Sequence, residues 1–154
     1  MNVRRAVIAG LLATGVMTVL MLVEPILGLP KVAFGQQLSI FLAVAVAYVP
    51  MSIALGWTVH FGFGVLLALV YAGTVAKRMS GVPVFAGVLY GSLIFLLSQV
   101  VFMPLVGAGV FSRGDVPMIV GAAFGHMGYG AILGALYGLP AKAGGPEPAR
   151  PASP

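Results

Sequence analysis

The chain has 154 residues, 60% of them hydrophobic and 7% charged, with a mean hydropathy of +1.11 and a formal net charge of +5. So few polar side chains cannot coat a water-soluble globule of this size, and the composition selects a lipid bilayer as solvent. The eight Lys and Arg are too scattered to track a phosphate backbone, which argues against nucleic acid, and the lack of cysteine rules out disulfides and thiolate metal sites.

A spanning helix needs roughly 20 mostly apolar residues. Four segments meet that length: 6–28, 52–76, 83–106 and 117–139. The start, Met1 to Arg5 followed by an apolar run, imitates a signal peptide. The run exceeds a signal core and no A-x-A site follows, so it is expected to be retained as a first helix. With four crossings, Arg4, Arg5, Lys77, Arg78, Lys142 and Arg150 fall on one side and Lys31 and Arg113 on the other. The positive-inside rule makes the first side cytoplasmic, so both termini are expected in the cytoplasm of a bacterial inner membrane.

Between the first two crossings, the apolar run 38–49 is too short to span and is expected to form a short helix on the outer side. Gln36, Gln37, Ser39, Tyr48 and Trp57 suit a headgroup boundary there. Residues 140–154 hold five prolines with Gly144, Gly145 and Ser153, a composition that points to a disordered cytoplasmic tail.

The chain carries signs of an internal repeat. Pro25-Ile26-Leu27-Gly28 recurs as Pro104-Leu105-Val106-Gly107, and His60-Phe61-Gly62-Phe63-Gly64 as His126-Met127-Gly128-Tyr129-Gly130. The proline pair is 79 residues apart and the histidine pair 66, a mismatch matching the length of the extra outer segment. The expected fold is all-α: a polytopic four-helix bundle of two pseudo-repeated hairpins. Gly121, Gly125, Gly130, Gly134 and Gly138 along the fourth helix are spaced for close helix contact, either within the bundle or in a homo-oligomer.

His60 and His126 are the only histidines. At about 1.5 Å rise per residue they lie roughly 12 and 13 Å from the outer ends of their helices, at matching depth. Tyr71 and Tyr137 follow by three helical turns on the same faces, and Gly64 and Gly130 clear space one turn beyond each histidine. Glu24 on the first helix and Gln99 on the third add polar groups to the same half. A polar side chain in hydrocarbon turns inward to a partner or a wet cavity.

Three readings follow. The cluster pins the register of the bundle through hydrogen bonds. Alternatively His60 and His126 grip the iron of a haem b, with Gly64 and Gly130 making room for the macrocycle. In the third, Glu24 and the histidines relay protons or cations, since imidazole titrates near neutral pH. Glu24 with two histidines supplies three ligands and no fourth, short of a structural zinc site. Met17, Met21, Met51, Met103, Met118 and Met127 read as flexible core filler rather than a copper site.

Asp115, in Ser112-Arg113-Gly114-Asp115, is placed in the outer turn between the last two helices. The chain has no Ser-His-Asp arrangement, phosphate-binding glycine loop or paired carboxylates, so no enzyme activity is expected. Gly10-Leu11-Leu12-Ala13-Thr14 with Met17, Gly56-Trp57 with His60-Phe61, Met103-Pro104-Leu105, and His126 with Tyr129-Gly130 resemble a family of small bacterial membrane proteins known only as a domain of unknown function. The resemblance implies four membrane helices and no stated activity. The expectation is a non-enzymatic membrane protein whose partners are the bilayer and other membrane subunits or copies of itself.

Overall fold

The computed structural model describes residues 1–29, 53–79 and 81–138. Four long helices run up and down: α1 (Val3–Val23), α2 (Ile53–Gly73), α3 (Pro83–Leu97) and α4 (Val116–Gly138). With their short continuations, all four are long and apolar enough to cross a membrane. The expected outer segment 38–49 and the tail 140–154 lie outside the described residues.

The helix ends differ slightly from the expected bounds, for local reasons. Asn2 caps α1, its side-chain oxygen accepting the Arg5 N–H at 3.0 Å, so the helix starts at Val3. α1 tightens into a 3₁₀ turn over Glu24–Leu27, which begins next to Pro25 and stops at Gly28 with φ +79°. Asp115, expected in a turn, caps α4 by accepting the Met118 N–H at 3.1 Å.

The bundle is built small side inward. On α1, Ala6, Ala9, Gly10 and Ala13 are buried while Leu11, Leu12 and Val16 face outward. Where the solvent is hydrocarbon, no hydrophobic drive joins the helices, and close backbone approach takes its place. Gly10 and Thr14 of α1 meet Gly64 and Ala68 of α2. Gly87 and Gly91 of α3 press against Gly130, His126 and Gly134 of α4, so closely that a Cβ at Gly87 or Gly130 would fall inside the opposing carbonyl. The α4 glycines therefore split between two faces. Gly121, Gly125 and Gly128 receive Glu24, Met17 and Leu20 of α1, whereas Gly130, Gly134 and Gly138 receive α3 and Pro83.

α1 packs on both α2 and α4, and α4 packs on α3. α2 and α3 meet mainly through tyrosines at the Arg5 end. Tyr90 donates to the Leu67 carbonyl at 2.8 Å, and Tyr71 to the Pro83 carbonyl at 3.2 Å. At the opposite, Glu24 end they stand apart, and the gap between them is the larger of the two cavities below.

Candidate functional site

The polar side chains expected to form one cluster occupy two places. Tyr71 and Tyr137 lie at the Arg5 end, with ring centroids 6.2 Å apart, and Tyr71 is 5.3 Å from Tyr90. Asn2 N–H donates to the Tyr137 hydroxyl, and the Arg5 guanidinium lies 5.9 Å above the Tyr137 ring. Sharing a helical face with a histidine does not bring a tyrosine near it: three turns along an α-helix is about 16 Å.

Glu24, Gln99, His60 and His126 lie in the other half. Gln99 owes its position to a π-helical turn over Ser98–Phe102. Pro104, just beyond, has no N–H and its ring crowds the carbonyl four residues back, which forces the helix to widen there. The wider turn directs Gln99 inward, to 0% exposure, and is followed by the buried Met103. Gln99 Oε1 accepts a hydrogen bond from Ser112 Oγ at 3.2 Å. Ser112 reaches it from an unusual turn in which Phe111, Ser112 and Arg113 have φ of 45°, 49° and 55°. Left-handed conformation costs L-residues about 1–2 kcal/mol each, so this contact is held against local strain. Gly109 and Gly114, both at positive φ, flank the turn at no such cost.

The histidines are held differently despite their matching sequence motifs. Thr18 Oγ1 lies 2.8 Å from the Thr14 carbonyl and gives it its only hydrogen. The same oxygen lies 3.3 Å from His60 Nε2, a contact in which the ring nitrogen donates or accepts according to its tautomer. His126 Nδ1 lies 2.7 Å from the Ala122 carbonyl, a pure acceptor, so its hydrogen is on Nδ1 and a neutral ring keeps its lone pair on Nε2. His60 is also flanked edge-on by Trp57 and Phe61, and His126 by Phe95.

Two cavities adjoin at His126, Met17 and Met103. The larger, about 400 Å³, lies between α2 and α3, and both histidines border it along with Thr14, Phe63, Ile94, Ser98 and Tyr129. The smaller, about 40 Å³, is enclosed by α1, α4 and the π turn, and Glu24, Gln99 and Ser112 border it with four methionines. Two buried polar atoms at this small cavity, Glu24 Oε1 and Gln99 Nε2, have no hydrogen-bond partner among the described residues. The space beside Gly64, offered by the sequence to a cofactor, is filled by the Thr14 side chain, and that beside Gly130 by the α3 backbone. Both glycines serve helix packing.

Sequence reasoning passed over Thr18, Ser112 and Tyr129, whose hydroxyl donates to the Gly64 carbonyl at 2.6 Å. Tyr129 carried a signal, since it sits inside the repeated histidine motif. Thr18 carried none, because its partner is on another helix. Among the described residues, no three His, Cys, Asp or Glu side chains group as a metal site.

A family model described as a family of unknown function, DUF6789, matches residues 1–145, and the chain belongs to that family. No curated protein and no solved structure matches it.

Proposed function

We propose that this member of a family of unknown function is a non-enzymatic integral membrane protein that holds a bound ligand in its Glu24-end half, as an accessory subunit of a larger membrane complex. In this reading it resides in a bacterial cytoplasmic membrane with both termini inside, as the six-to-two distribution of basic residues favours.

One observation carries the reading: Glu24 Oε1 and Gln99 Nε2, an acceptor and a donor, are both buried at one cavity without partners among the described residues. Buried polar groups are nearly always satisfied in native proteins, and orphaning them in an apolar setting costs several kcal/mol. A bound molecule that both donates and accepts supplies both missing partners, and a bound cation supplies one for Glu24 Oε1.

Conduction across the bundle fits less well than binding. Beyond Tyr129 the interior is closed by Leu133, Ala68, Tyr71 and Tyr90, all buried, and by glycine-to-backbone packing of α3 on α4. The haem reading has both imidazoles bordering one cavity in its favour. Against it, His60 Nε2 is in contact with Thr18 Oγ1 at 3.3 Å and the room beside Gly130 is taken by backbone.

Native mass spectrometry of the full chain released from detergent tests the proposal. A ligand mass present on the wild type and reduced on Glu24→Gln is expected. Bare chain mass for both, with equal thermal stability, would refute it. A reduced-minus-oxidised spectrum lacking Soret and alpha bands after haem-supplemented expression would dispose of the haem alternative.

A further inference from the structure

The geometry points to the small cavity as a monovalent copper site, whose two to four ligands would be drawn from the thioethers of Met17, Met21, Met103 and Met118, the Glu24 carboxylate and the His126 imidazole that border it. This rests on the binding reading above and names a ligand for its Glu24 Oε1 side; the Gln99 Nε2 hydrogens take no part in holding a cation.

Four of the eight methionines in the chain border this one cavity of about 40 Å³. They arrive from separate elements. Met17 and Met21 are one turn apart on α1, Met103 follows the π turn, and Met118 lies in the first turn of α4, beside the Asp115 cap. Methionine is a common filler of apolar gaps, but here four of its side chains meet around one void beside a buried carboxylate and an imidazole. Thioethers are soft, uncharged ligands that select Cu(I) over hard cations.

Charge supports the same choice. Glu24 is 5% exposed and takes part in no ion pair among the described residues. Among the described residues, Arg4, Arg5, Lys77 and Arg78 are at the other end of the bundle, and Arg113 is exposed and donates to the Gly107 carbonyl; Lys31 lies outside them. A buried carboxyl in a low-dielectric interior is either protonated or balanced by a counter-charge. One Cu(I) against one carboxylate gives a neutral site, whereas a divalent ion would leave an uncompensated charge in hydrocarbon. Sodium and potassium prefer oxygen ligands, of which the cavity offers few.

His126 is prepared as a ligand. Its Nδ1 hydrogen is fixed on the Ala122 carbonyl, the kind of outer contact that sets the tautomer of metal-binding histidines and leaves Nε2 as donor atom. Gly121 and Gly125 let α1 approach: a Cβ at Gly121 would stand 3.0 Å from Glu24 Oε2, and one at Gly125 3.5 Å from Met17 Cε. The volume suits one ion, and it also suits one water bridging Glu24 Oε1 and Gln99 Nε2, so the experiment must separate the two.

The test titrates the full-length protein in detergent with Cu(I) under reducing, anaerobic conditions, against a chromophoric Cu(I) chelator. One Cu(I) per chain, with sulfur scatterers in the copper absorption-edge spectrum, is expected. Met21→Leu with Met118→Leu preserves volume and keeps the fold, which circular dichroism verifies. That double variant and Glu24→Gln should each weaken binding by at least about tenfold, since even outer contacts of metal ligands are worth that much. Zn(II) and Na⁺ should not compete. Failure to take copper from the chelator, copper bound through nitrogen and oxygen alone, or an unchanged affinity in the double variant would each overturn the assignment. If copper does not bind while another ligand mass is still lost with Glu24→Gln, the copper assignment falls and the binding reading stands. Bare mass in every preparation removes both.

Discussion

The His126 imidazole carries its hydrogen on Nδ1, because the Ala122 carbonyl beside that nitrogen can only accept. Nitrogen NMR of labelled protein should show a neutral His126 protonated at Nδ1; protonation at Nε2 alone would contradict the hydrogen bond described. Tyr129→Phe removes a buried donor to the Gly64 carbonyl, and thermal unfolding in detergent should register a loss of about 0.6–1.7 kcal/mol. Helix length alone pointed to a shared level for the two histidines, and both border one cavity. Their different roles were not legible, because Thr18 and Ala122 differ in what they offer and only tertiary placement selects Thr18. The methionines show the same limit. Each looks like filler on its own helix, and only folding gathers four of them beside Glu24.

Among the elements, the glycines decide which helices touch. Gly130→Ala would drive a Cβ into the Gly87 carbonyl, so the α3–α4 contact must open, at a cost of about 1–3 kcal/mol. Gly62→Ala has nothing within 4 Å to meet and should be neutral or stabilising by up to about 1 kcal/mol. Equal thermal midpoints for the two variants would show that α3 and α4 do not pack as described. The four spans were legible because 20-residue apolar runs have few other uses. The neighbours of each helix were not, since a four-residue glycine spacing states that a face is close-packed without stating against what. Capping residues were partly legible: Asp115 was seen as a turn residue, while its bond to the Met118 N–H places a cavity methionine and appears only in the fold.

At the scale of the whole molecule, the bundle divides into a closed half and an open one. The Arg5 end is sealed by three tyrosines and backbone-close glycines, and the Glu24 end holds the two cavities. In the proposed topology the closed half faces the cytoplasm. Single cysteines introduced at Asn2 and at Ser153 should therefore both resist a membrane-impermeant thiol reagent in intact cells and react in inverted vesicles; labelling of either from outside would reverse the topology. The division of the bundle makes a more direct demand. In a cryo-electron microscopy or crystal structure of the full chain in lipid, density beyond protein should occupy the space bounded by Glu24, Gln99 and His126, within bonding distance of the Glu24 carboxylate. A space closed by repacked methionines, with Glu24 turned to the headgroups, would contradict the account.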